Sequence, residues 1–129
     1  MRYLLDTHVA IWSVSDRTQI PSDILRIIAD PDNAVFISAA SIWEIAIKHA
    51  LKRANAPPLN SADSIDAFLS ADFTLLDVTT QHAAAVEAIT TEHADPFDRL
   101  LIAQAVTEPL ALITRDRKIA AYSPSFITW

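Results

Sequence analysis

The chain contains no glycine and no cysteine in 129 residues. Without glycine there is no P-loop and no dinucleotide-binding turn, because both bring backbone against phosphate where a Cβ would intrude. The same absence requires helices to end on asparagine, proline or other polar residues instead of the residue best suited to left-handed backbone. Without cysteine there are no disulfides, no thiolate zinc sites and no thiol nucleophile. No apolar run reaches the about 18 residues needed to span a bilayer. The N-terminal stretch MRYLLDTHVA meets an acid at Asp6, which does not suit a secretion signal. A cytoplasmic protein is the expectation. Basic residues are also in short supply: ten Lys and Arg against sixteen Asp and Glu give a net charge of −6. That balance excludes the broad basic surface of a protein that coats duplexes nonspecifically. It does not exclude nucleic acid as a substrate, since an acidic metal site adds negative charges that a bound cation reverses locally.

What is present describes a packed globule. The chain is 51% hydrophobic with three tryptophans, and its length suits one domain spanning residues 1–129. Short apolar runs alternate with stretches of helical period. YLLD (3–6), AVFIS (34–38), TLLDV (74–78) and ALIT (around 110–114) read as buried strands, and SFITW as a fifth. Between them lie helical segments at 7–15, 22–30, 39–53, 61–71 and 79–93, then a helix starting at DPFDR, and a short turn or helix at RDRKIAAY. This alternation predicts an α/β fold: a parallel sheet of about five strands with helices on both faces. Trp12 and Trp43 fall at apolar helical positions, where core packing is expected; an exposed tryptophan would instead mark a partner groove.

In open parallel sheets functional groups gather beyond the carboxyl ends of the strands, at the switch in strand order. Asp6 ends the first strand, Glu44 lies early in the helix after the second, and Asp116 stands two residues past Thr114 at the end of the fourth. Asp98 sits in the first turn of the helix leading into that strand. Each acid also has a structural reading. Asp6 can cap the following helix, Glu44 can form a capping box with Ser41 or an ion pair with Lys48, and Asp116 can serve a turn. Asp95, followed by Pro96, makes a good N-cap. Carboxylates gathered at one edge repel one another and raise their pKa values, and a hard divalent cation with oxygen ligands relieves this. Histidine-based zinc chemistry fits less well, because His8, His49, His82 and His93 are scattered; only His8 and His93 lie near the acids in sequence.

The segments LLDTHVAIW (4–12), ISAASIWEIAIK (37–48), DPFDRLLIAQA (95–105) and LITRD (112–116) together resemble a PIN domain, in particular the VapC-type toxins of bacterial toxin–antitoxin pairs. The match runs nearly end to end. It implies a magnesium- or manganese-dependent endoribonuclease with Asp6, Glu44, Asp98 and Asp116 as its acidic quartet. Asp6, Asp98 and Asp116 would hold the metal directly or through water, Glu44 would complete the site or orient the attacking water, and Thr114 would be a supporting hydroxyl. Asp95 would then cap its helix beside the site. Cleavage would leave a 5′-phosphate and a 3′-hydroxyl. The resemblance also implies an RNA substrate, a VapB-like antitoxin and a homodimer, with no membrane association. Arg115, Arg117 and Lys48 are candidate phosphate contacts, as are Lys52, Arg53 and Lys118, although charges of this kind are commonly solvated. The sequence departs from the family pattern at HALKRANAPP, where relatives often carry glycine after the Glu-bearing helix.

Two other readings belong beside this one. A phosphoacceptor domain of receiver type has a similar length and alternation and would use Asp77, at the end of TLLDV. Against it, the first strand ends in one acid instead of a pair, and no lysine ends a fifth strand. A catalytically inactive PIN-like binding module is the other, against which the intact quartet speaks.

Overall fold

Apolar residues occupy both faces of the strands, so the sheet has to be covered on both sides. The computed structural model describes residues 1–90 and 95–129. Four strands, β1 (Arg2–Leu5), β2 (Ala34–Ser38), β3 (Thr74–Leu76) and β4 (Ala111–Ile113), form one sheet in the order β3-β2-β1-β4. Every pairing is parallel. The connecting helices are α1 (Thr7–Ser15), α2 (Ser22–Ala29), α3 (Ala39–Ala50), α4 (Ser61–Ser70), α5 (Thr80–Ala85), α6 (Pro96–Thr107) and α7 (Arg117–Ala120). No helix among the described residues is long and apolar enough to cross a membrane.

The two-residue period of the strands divides the core in two. Tyr3, Leu5, Val35, Ile37, Ala111 and Ile113 join Val9 of α1, Ile24 of α2, Ile45 of α3 and Phe68 of α4. The alternate residues Leu4 and Leu112 face Leu101, Ile102 and Ala105 of α6 and Ile119 of α7, with Phe36 against the same cluster. A strand buried on both faces needs this continuous apolar composition. The expected layering is therefore present.

The fifth strand shrinks to one parallel bridge between Ile113 and Ile127. Phe126 N–H turns back to the Ser123 carbonyl at 3.1 Å, so residues 123–126 form a turn, and Ile127 alone exchanges bonds with β4 at Leu112 and Thr114. The helix expected over 79–93 is also shorter. It passes from α5 into a 3-10 turn at Val86–Ala88, and Ile89 is extended. The β-branched pair Ile89 and Thr90 favours that exit from helical backbone. The remainder of that expected helix, residues 91–94, lies outside the described residues.

With no glycine available, two helices end on residues in left-handed backbone. After α3, Lys52 has φ 50°, and after α4, Asp72 has φ 63°. Both ends follow the same hydrogen-bond pattern. Lys52 N–H reaches the His49 carbonyl at 3.0 Å and Arg53 N–H the Lys48 carbonyl at 3.1 Å; Asp72 N–H reaches Leu69 at 3.0 Å and Phe73 N–H reaches Phe68 at 3.1 Å. This is the Schellman closure, in which glycine is the favoured residue. Phe68 and Phe73, with ring centroids 6.4 Å apart, supply the apolar contact that accompanies it. The departure from the family pattern at HALKRANAPP is thus accommodated by Lys52 in place of glycine.

A left-handed conformation costs a residue with a Cβ about 1–2 kcal/mol. Lys52→Gly should therefore stabilise the protein, less the entropy that glycine adds to the unfolded chain, for a net gain of about 0.5–1 kcal/mol. Thermal denaturation should show Tm raised by about 2–4 °C. Asp72→Gly should gain less, since aspartate tolerates this region better than lysine. A fall in Tm for both variants would show that these ends are held by side-chain contacts and not limited by backbone.

Candidate active site

The strand order 3-2-1-4 reverses direction at β1, where the chain has moved outward to β2 and β3 before returning to pair β4 on the other side. Crevices at such a reversal collect ligands because the loops leave the sheet in opposite directions. Asp6 and Thr114 stand there, one residue beyond the ends of β1 and β4, and both are buried. The backbone aligns them: Asp6 N–H donates to the Ile113 carbonyl at 3.0 Å.

One Asp6 oxygen accepts from Val9 N–H at 2.9 Å, capping α1. The other accepts the Thr114 hydroxyl hydrogen bond. The Thr114 oxygen in turn accepts from Asp116 N–H at 3.0 Å. Asp116 caps α7, accepting from Lys118 N–H at 2.9 Å and Ile119 N–H at 3.4 Å. A short polar chain therefore ties Asp6, Thr114 and Asp116 together.

The Glu-bearing helix is joined to this group by a buried contact between the Thr7 and Ser41 hydroxyls at 2.9 Å. Ser41 is consequently not the cap of α3; Ser38 is, accepting from Ala40 N–H at 3.0 Å. One turn after Ser41, Glu44 forms an ion pair with Lys48 at 3.0 Å, so the structural reading of Glu44 holds in that part. Glu44 is also near enough to Asp6 for its charge to matter. Burial holds the Asp6 carboxyl above the ordinary carboxylate range, and Glu44 adds to that shift, while the Thr114 hydroxyl, the Val9 N–H and His8 oppose it.

Asp95 caps α6, accepting from Phe97 N–H at 2.8 Å and Asp98 N–H at 3.2 Å. Asp98 occupies the first turn that this cap creates. The α6 helix packs against α3, with the rings of Phe97 and Trp43 5.2 Å apart and nearly edge-on. The residues flanking Asp98 and Glu44 in sequence are therefore in contact. Trp43 corrects an expectation: it is 60% exposed rather than packed in the core, because the buried side of α3 is taken by Ala40, Ser41 and Ile45. Trp12 is half-buried, between His8 and Trp129. His8 is exposed, as are Arg115 and Arg117 beside Asp116; His93 lies outside the described residues.

Among the described residues, no group of three or more His, Asp or Glu side chains is already arranged to hold an ion. The chemistry of the donors nevertheless fits a hard cation. Asp6 is a buried carboxylate held by two neutral donors, beside a second carboxylate. Magnesium needs only one or two carboxylates and keeps several of its waters.

Sequence reasoning missed the Thr7–Ser41 contact, although both residues lie in the quoted motifs. It also missed a buried polar cluster between α5, α6 and the end of β2. His82, fully buried, accepts from Thr79 N–H at Nδ1 (3.0 Å) and reaches Glu108 through Nε2 at 2.7 Å. Gln104 links His82 at 3.3 Å to the Ser38 hydroxyl at 2.5 Å. The receiver-type alternative does not match the topology, since Asp77 is exposed and follows the edge strand β3. A receiver of order 2-1-3-4-5 has its third strand at the centre.

The PIN domain profile matches residues 3–123. Among solved structures, a chain of VapBC2 from Rickettsia felis, crystallised with a DNA fragment from its promoter, superposes with a TM-score of 0.71 at 19% identity, covering 100% of this chain and 98% of that one. VapBC-1 from nontypeable Haemophilus influenzae gives 0.68 at 22% identity, covering 100% and 97%. A toxin–antitoxin complex from Klebsiella pneumoniae gives 0.65 at 24% identity, covering 98% and 96%. No curated protein matches the sequence.

The raised pKa of Asp6 makes a signed prediction for the metal-free protein. A carboxyl whose folded pKa lies above its ordinary value of 3.8 favours folding most when protonated, and that contribution is lost as pH rises through the folded pKa. Asp6→Asn keeps an oxygen for the Val9 cap and removes the charge. The difference in Tm between Asp6→Asn and wild type in EDTA should therefore grow in the variant's favour as pH rises from 4 to neutrality. A difference independent of pH would mean that Asp6 ionises in the fold as it does in water.

Proposed function

The chain belongs to the PIN domain family, and on that premise we propose that it is a divalent-metal-dependent endoribonuclease, the toxin of a type II toxin–antitoxin pair. The observation that carries the proposal is the Asp6 carboxylate. It is buried at the reversal in strand order, fixed by the Thr114 hydroxyl and the Val9 N–H, and destabilised in its charged form by burial and by Glu44. A fold that needed only a helix cap there would gain nothing from a second carboxylate nearby.

Asp6, Asp98 and Asp116 would hold magnesium or manganese, directly or through coordinated water. When bound, the ion supplies neutralisation of phosphate charge and a water of lowered pKa. The protein's own groups do the rest. Thr114 and Val9 fix the orientation of the Asp6 carboxylate, and Thr114 relays that order to Asp116 through its backbone N–H. Glu44, steadied by Lys48, orients the attacking water and accepts its proton. The water oxygen bonds to phosphorus in line with the departing O3′, the P–O3′ bond breaks, and O3′ leaves as a hydroxyl on taking up a proton. The products are a 5′-phosphate and a 3′-hydroxyl. Exposed Arg115 and Arg117 supply phosphate contacts beside Asp116.

A toxin must be restrained in its own cell, and an antitoxin arginine paired with the acids is the natural inhibitor. A cleft of about 390 Å³ beside α1, where apolar Ile11, Trp12 and Pro57 alternate with polar His8, Asp16 and Lys48, offers a mixed seat for an antitoxin helix.

Asp95 and Asp98 separate capping from chemistry. Asp98→Asn should lose metal-dependent cleavage of total RNA by at least about a hundredfold, as expected for an important electrostatic group, while remaining folded. Asp95→Asn replaces one good cap by another and should keep most of its activity. Equal activity in wild type and both variants would remove Asp98 from the site, and loss in Asp95→Asn alone would reverse the two roles. Millimolar magnesium or manganese should also raise the Tm of wild type by mass action and leave Asp98→Asn nearly unmoved. Expression alone should arrest growth, with rescue by the neighbouring antitoxin gene; harmless expression of a cleaving enzyme would remove the toxin role and leave the nuclease.

A further inference from the structure

Resting on the nuclease reading, we propose that Lys48 sets the metal affinity of the acidic site. It is the counter-ion of the empty site and opposes the binding of a divalent cation. Its Nζ donates to Glu44 Oε2 at 3.0 Å, one helical turn away on α3. Pairs at this spacing are common on helix surfaces, where solvent and salt screen them and they contribute little. This pair has different surroundings. Only 18% of the Lys48 side chain and 16% of the Glu44 side chain reach solvent, so their charges are screened far less.

The placement on α3 brings both charges to the site. Ser41, Glu44 and Lys48 follow one another at intervals of three and four residues and so share one face of the helix. On that face Ser41 meets the hydroxyl of Thr7, the residue after Asp6, at 2.9 Å. Glu44 is near enough for its charge to act on the buried Asp6 carboxyl. Lys48 continues the face toward α1, where it lines a cleft together with His8, two residues beyond Asp6. The ammonium therefore belongs to the electrostatics of the site and not to an outer helix face.

A fixed positive charge there has two opposed effects. In the empty site it offsets Glu44, and breaking a shielded pair leaves the remaining charge uncompensated. For an arriving divalent cation it is a like charge at short range, and such repulsion is strong where solvent is partly excluded. Lys48 therefore stabilises the fold without metal and weakens the site for metal. A site weakened in this way exchanges its ion, so occupancy follows the free metal concentration.

The test titrates manganese into wild type, Lys48→Met and Lys48→Arg, following unbound ion by electron paramagnetic resonance and recording Tm in parallel. Lys48→Met keeps an apolar stem and loses the charge. In EDTA its Tm should lie below that of wild type, because Glu44 has lost its partner. Its dissociation constant for manganese should nevertheless fall about tenfold, and manganese should raise its Tm more than that of wild type. Lys48→Arg, which retains the charge, should bind manganese as wild type does. Lys48→Gln, which can still donate to Glu44, takes the place of Lys48→Met if that variant does not fold. Support of the helix alone would lower Tm equally with and without manganese; that result, or weaker manganese binding in Lys48→Met, overturns the proposal. Tighter binding in Lys48→Arg as well would trace the effect to shape and overturn it too. Equal binding in wild type and Lys48→Met overturns the proposal alone, whereas no binding in either removes the metal reading and the proposal with it.

Discussion

The hydrogen bond from the Thr114 hydroxyl to the Asp6 carboxylate holds the candidate site together. It joins the ends of two neighbouring parallel strands, where a buried carboxylate would otherwise face apolar surroundings. A neutral donor lessens the cost of that burial without cancelling the charge. A lysine or arginine in the same place would have cancelled it, and with it the attraction for a cation. Thr114 also accepts the Asp116 N–H, so one side chain positions two acids. The two-sided core makes this possible, because β1 and β4 are locked in register by apolar residues on both faces.

The packing of α5 and α6 on the sheet relies on polar contacts of another kind. His82 accepts the Thr79 N–H at Nδ1, which leaves the ring proton on Nε2 for Glu108. Gln104 then connects that histidine to Ser38 at the end of β2. Every buried side-chain polar atom among the described residues has a partner. Such a network tolerates few substitutions, because removing one member leaves another buried and unsatisfied. It fixes α5 and α6 to the sheet, and with α6 the backbone that carries Asp98.

Much of this was legible in the sequence because strand period and helix caps are local signals. AVFIS and THVAIWSVS fall at the boundaries expected of them, and Pro96 after Asp95 marks the start of α6. Capping and chemistry could not be separated in that way. Asp6 and Asp116 both cap helices and both contact Thr114, directly or through backbone, so neither structural nor chemical reading excludes the other. Trp43 was illegible because α3 carries apolar residues around most of its circumference. The His82 cluster was hidden for a different reason: its members are separated by 22 and 66 positions in the chain, and polar residues so spaced leave no pattern.

The sheet order also governs when the site can exist. Asp6 leaves the ribosome 108 positions ahead of Thr114. Until β4 emerges, β1 has no neighbour on that side and the Asp6 carboxylate has no threonine to hold it. A nascent chain, still tethered beside the messenger that encodes it, thus carries an incomplete centre until Thr114 has emerged. On the nuclease proposal, central placement of the first strand acts as a timer, withholding the complete site until β4 has been made.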